Sequence, residues 1–195
     1  FNPIYYLDNL KDCKIVAETL MSPLKSNSAP IWHLAGSSLL ASILLYLVLK
    51  SKESQYRSIE NLITILSLDY DSQEKLIKSV ENNQLNSLYS SFKNANSEAK
   101  GGIQMMAKEA VSLFLEEEVV NLTNEHTLYF SKLRDKKSIL YLSIPEMDIG
   151  HYSAFLKIFY YQLFQYLNMN AEGIPIYLYL EEFGNIGKIP YFEKA

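Results

Sequence analysis

The stretch that most restricts what this chain can fold into is Ile31–Lys50, IWHLAGSSLLASILLYLVLK, which carries no charge before its closing lysine. As a helix it would span about 30 Å, the thickness of a bilayer core. A membrane span and a helix buried at the centre of a bundle both satisfy that length and composition. His33, Gly36, Ser37, Ser38 and Ser42 within the run, and the lack of a basic cluster beside its first residue, favour the bundle. Small residues there would let neighbouring helices approach closely, with Trp32, Leu39, Leu40, Ile43, Leu44 and Leu47 packing inward.

Helical spacing continues on either side. Asp12–Met21 places Ile15, Val16, Thr19 and Leu20 on one face, and the proline-bearing Ser22–Pro30 reads as a loop with disorder expected near Lys25–Ser28. Ser58 is the expected N-cap of a helix over Ser58–Leu68, and Asp71 with Glu74 resembles a capping box opening the next. Asn82–Lys100 is rich in Asn and Ser, with Leu85, Leu88, Tyr89 and Phe92 spaced for a short helix. Ser97–Gly102 reads as a break, followed by one long helix over Ile103–Leu122 whose Glu116, Glu117 and Glu118 form a solvated face.

The pattern changes after Asn124. Thr127–Leu133 and Ser138–Ile144 have strand composition, separated by the charged turn at Arg134-Asp135-Lys136-Lys137; His151–Leu167 reads as a helix, and Ile174–Leu180 as a buried strand. Strand, crossover helix and strand predict a right-handed βαβ unit with parallel strands. The last strand runs into Glu181 and Glu182, at the carboxyl end of the sheet, where open α/β sheets bind ligands. Two readings of the acids stand side by side. They are solvated carboxylates in a turn, or they serve the metal and the water of a nucleoside triphosphatase.

Composition narrows the classes. The chain has 195 residues, 48% apolar and 21% charged, which describes a globular rather than a disordered protein. A net charge of −4 is not the basic footprint of a stand-alone DNA-binding domain. Cys13 is the one cysteine and the histidines are scattered at 33, 126 and 151, so neither a disulfide framework nor a zinc site is indicated. None of the 7 glycines belongs to a Gly-x4-Gly-Lys-Ser/Thr phosphate loop. Without an initiator Met, and ending just past the acid pair, the chain reads as an excised piece that does not hydrolyse ATP by itself.

Glu181-Glu182-Phe183-Gly184-Asn185-Ile186-Gly187-Lys188-Ile189-Pro190 resembles the Walker B segment of the type IV secretion coupling proteins, the VirD4/TraG/TraD group of conjugation ATPases. Their usual form is Asp-Glu-Phe, a small residue, then Asn-Ile/Leu-Gly-Lys-Ile-Pro. The Asn2-Pro3 entry, the Trp32-to-Leu47 stretch, Ile144-Pro145 and Tyr161-Gln162-Leu163 are similar to the family at the corresponding places. The resemblance implies an α/β chain: a mainly helical all-α insertion domain over 10–122, between nucleotide-binding segments at 1–9 and 123–195 that contribute part of a RecA-like parallel sheet. It places Glu181 at the metal-side Asp and Glu182 at the catalytic Glu, serving Mg²⁺ and ATP in the parent protein. The departure is Glu181, whose extra methylene moves the carboxylate by roughly 1.5 Å.

The parent implied is a homo-hexameric motor, anchored to the bacterial membrane by a segment outside this chain and facing the cytoplasm. It would hand relaxase-bound single-stranded DNA or proteins to the secretion channel, with the all-α domain docking relaxosome or accessory proteins and the isolated piece monomeric. The competing readings are a stand-alone helical binding module, a small membrane-anchored helical protein, and a DNA-pumping ATPase of chromosome segregation.

Overall fold

The computed structural model describes residues 1–24, 30–50, 56–170, 172–181, 183–190 and 192. They fall into two compact units, one running from Asn2 to His126 and the other made of Phe1 and the chain from Thr127 onward. The disorder expected near Lys25–Ser28 lies outside the described residues.

The first unit is helical. Its elements are α1 (Leu10–Met21), α2 (Pro30–Lys50), α3 (Ile59–Ser67), α4 (Tyr70–Lys78), α5 (Asn83–Lys93), α6 (Ser97–Ala110) and α7 (Glu117–Thr123). Side-chain oxygens close five of the helix starts: Asn9, Ser58, Asp69, Asn82 and Asn96 each accept the amide three residues on. Each such cap contributes about 1 kcal/mol. Ser58 caps α3 as expected. Asp69, not Asp71, caps α4, because Asp69 is the extended residue before the first turn and Asp71 already lies inside it.

α2 is the centre of this unit, packed by α1, α3, α5 and α6. It is long and apolar enough to cross a membrane, yet most of its apolar stretch is buried. Leu39, Leu40, Ile43 and Leu44 have no exposed surface. At Gly36 a Cβ would stand 2.8 Å from Met21 Cε and 3.8 Å from Met106 Cβ, so α1 and α6 come close where the side chain is missing. His33 Nε2 stands 3.1 Å from the Met21 carbonyl, at the end of α1. Trp32, expected inside, instead lies at the rim with its ring against Gly102, where a Cβ would be 3.5 Å away.

That contact also corrects the reading of Ser97–Gly102 as a break. These residues are the first turns of α6, with Gly101 beside the Tyr70 hydroxyl and Gly102 beside the Trp32 ring. The single helix expected over Ile103–Leu122 is interrupted too. α6 stops at Ala110, a 3-10 turn occupies Ser112–Leu115, and α7 starts at Glu117.

The two ends of the unit meet. The Asn2 amide donates to His126 Nδ1 at 3.3 Å, and Tyr5 stacks on the same imidazole at 3.6 Å between ring centroids. Asn2 Nδ2 donates to the Arg57 carbonyl, while the buried Arg57 guanidinium donates to Leu7 O at 3.1 Å and to Val48 O at 3.0 Å. A buried charge is tolerable when carbonyls satisfy it, and Val48 lies in the last turn of α2, where helical carbonyls lack partners.

The second unit overturns the α/β expectation. Among the described residues there is no strand and no sheet; its one long element is α8 (Ser153–Met169), with 3-10 turns at Phe130–Arg134, Glu146–Asp148 and Phe183–Ile186. Neither Thr127–Leu133, Ser138–Ile144 nor Ile174–Leu180 forms a strand, so neither the βαβ crossover nor the RecA-like parallel sheet is present. A strand persists only when a neighbour completes its hydrogen-bond ladder. Here Tyr141 is 83% and Tyr179 is 90% exposed, on segments with no ladder.

The core of this unit is built of rings on α8. Phe130 is fully buried, 5.8 Å from Phe159, and Phe1 lies 5.1 Å from Phe159. Arg134, expected in a charged turn, is instead a brace. Its Nη1 donates to Ile174 O at 2.9 Å, and its side chain occupies the space beside Gly173, whose φ of +106° favours glycine.

Candidate acidic loop on helix α8

The acid pair leads into a loop with a regular apolar beat. Phe183, Ile186, Ile189 and Phe192 recur every third residue; Ile186 and Ile189 are buried. Between them Gly184, Asn185, Gly187 and Lys188 are exposed. A three-residue period is that of a 3-10 turn, and Phe183–Ile186 is one, closed by the Gly187 amide donating to Gly184 O at 3.3 Å. Gly187 has φ +80°, a conformation that lets the chain turn away after the 3-10 segment.

The loop rests on α8. Phe183 stands edge-on to Tyr160 at 5.1 Å, and Phe192 lies 5.1 Å from Phe164 and 5.2 Å from Phe183. Tyr160 and Phe164 themselves stack at 5.8 Å. Ring pairs at such separations contribute about 0.5–1.5 kcal/mol each beyond their burial. A Cβ at Gly187 would be 3.7 Å from Lys157 Cε and Nζ, so the lysine stem passes over the turn. Burial pushes the Tyr160 phenol above its usual range.

Glu181 is exposed in the turn just ahead of this loop, and Glu182 lies outside the described residues. Glu181 therefore does not leave a sheet edge, since no sheet precedes it. Among the described residues no cluster of three His, Cys, Asp or Glu side chains could hold a metal. A single accessible carboxylate fits the way Mg²⁺ is held beside a nucleotide, where one or two acids share the ion with phosphate oxygens and water. A depression of about 740 Å³ in the same unit is lined by Ser131, Arg134, Asp135, Tyr166, Asn170 and Gly173, among others, without Glu181.

Lys157, Tyr160 and Phe164 lie outside the acid motif. Two spacings find them: the every-third apolar positions of 183–192, and the i, i+3, i+7 stripe on α8 that matches them. Comparison with curated proteins and with solved structures returns no match. The family described as type IV secretory system conjugative DNA transfer matches residues 1–195, the whole chain, and this protein belongs to that family.

Proposed function

We propose that this chain is the docking domain and the acidic loop of a coupling protein, the membrane-associated ATPase that passes relaxase-bound single-stranded DNA, or proteins, to a type IV secretion channel. The observation that carries this reading is the meeting of Asn2 and His126. A helical unit whose first and last residues are hydrogen-bonded can be spliced into a host domain without separating the flanking chain, as inserted domains are. In a DNA-transfer protein, such an insert offers a surface for substrate proteins apart from the motor.

In the parent hexamer, Glu182 would orient the attacking water and Glu181 would supply one oxygen to Mg²⁺ or to its water shell. The ion, when bound with ATP, neutralises charge on the transferring phosphate. The rest of the phosphate cradle must come from other sequence, since no Gly-x4-Gly-Lys-Ser/Thr occurs here.

Two experiments on the full-length protein test the reading. Replacing residues 10–122 by a short Gly/Ser linker should leave ATP turnover and abolish substrate transfer; undiminished transfer would remove the docking role. Glu182→Gln should abolish turnover and spare nucleotide binding. Turnover at the wild-type rate would remove Glu182 from the mechanism.

A further inference from the structure

Glu181 is exposed on a turn, and the loop that follows it in the chain is packed on α8. The flanking loop is anchored on both sides by rings. Phe183 directly follows the pair and meets both Tyr160 and Phe164 of α8, and Phe192, which ends the described loop, meets Phe164 and Phe183. Lys157, Tyr160 and Phe164 are spaced i, i+3, i+7 and so share one face of that helix. The three reach the loop at its start, at Gly187 and at its end.

We infer that Tyr160 and Phe164 are positioning residues: by holding Phe183 and Phe192 they set where the turn that carries Glu181 stands relative to α8. The inference rests on the ATPase reading above for its kinetic consequence, but not for its structural one. Acids acting on a phosphoryl group must be held to a fraction of an ångström, and side chains on solvated turns reach that precision only through packed neighbours. The rings act here by shape rather than by charge. The Tyr160 hydroxyl should therefore be dispensable and its ring should not.

The test uses the full-length ATPase with Mg-ATP as the probe, and hydrogen exchange at residues 183–190 as a readout independent of activity. Tyr160→Leu, Phe164→Leu and the loop-side variant Phe183→Leu should each lower kcat roughly ten- to a hundredfold. KM for ATP should change little, because ground-state binding is untouched. Exchange should quicken at 183–190 while α8 amides keep their protection, and Tyr160→Phe should restore wild-type kcat and exchange.

Wild-type kcat and wild-type loop exchange in the folded leucine variants would overturn the inference. So would loss of α8 protection in step with kcat, which would reduce the rings to helix packing. Phe183→Leu removes only a partly exposed loop ring, so it decides the matter if the helix variants do not fold. If Glu182→Gln turns over normally, the ATPase reading fails on its own, and loop exchange still decides whether the clamp exists.

Discussion

The helical unit and the unit from Thr127 onward solve the same problem differently. Between Asn2 and His126 five of the helices carry their own start signal, and apolar stripes are buried against α2 or a neighbour. Several buried polar groups there are paired: Gln73 Nε2 donates to Ile65 O at 2.9 Å, Tyr89 donates to Gln73 Oε1 at 3.2 Å, and Arg57 binds two carbonyls. The second unit has one long helix, a core of rings, and two aromatic segments left in solvent. Local signals are therefore enough where the partners lie in the same unit; strand composition is not, because a strand has no partner within itself.

This contrast can be broken most directly in the cores. Leu44→Ala in α2 should cost about 3–5 kcal/mol, since it leaves a cavity among side chains with no exposed surface. Tyr179→Ala, at an exposed strand-like position, should stay within about 0.5 kcal/mol. Denaturant unfolding of both variants checks the pair, and equal losses would mean that the exposed segment is packed after all.

Next in size is Arg57→Met, which should cost about 2–3 kcal/mol by removing charged hydrogen bonds to Leu7 O and Val48 O. Its effect should appear as faster hydrogen exchange around Asn2–Leu7, where the entry segment is tied down. Asn96→Ala should cost about 1 kcal/mol through the lost cap on Ala99 N. A loss of that size would show that α6 begins at Ser97 with Asn96 as its cap, whereas no loss would support a helix starting only at Ile103.

The smallest effect at neutral pH concerns His126, whose pKa burial lowers to about 4. In the unfolded chain an imidazole takes up its proton near 6.5. Above about 6.5 both states are neutral and this contribution is complete. As pH falls from there through about 4 the unfolded state alone gains the proton, and stability is lost. Thermal melting between pH 7 and pH 4 should show this dependence and His126→Gln should flatten it, with an unchanged slope counting against a buried neutral ring.

Several elements were legible from residues alone. Ser58 announced α3, the periodicity of Asp12–Met21 announced α1, and the apolar run over Ile31–Lys50 announced the long helix α2. The acid loop announced its family through Glu181 to Pro190. What misled were residues with two uses. Gly101 and Gly102 look like a break and lie inside α6, beside Tyr70 and Trp32; Asp71 looks like a cap and stands two residues too late. Arg134 looks like solvent-facing charge and instead braces Ile174. The ring clamp on the acidic loop was encoded as two matching spacings, but nothing local joins Tyr160 to Phe183.

By itself the amino-acid order determined the helical starts, the need to bury Ile31–Lys50 and the acid-bearing motif, because caps, periodicity and motif spacing are properties of neighbouring residues. Tertiary structure alone decided that 138–144 and 174–180 form no sheet, that α2 is enclosed by helices, and that α8 carries the loop after Glu181. Those outcomes depend on which distant side chains arrive to satisfy a backbone or cover a ring, and no local pattern contains that information.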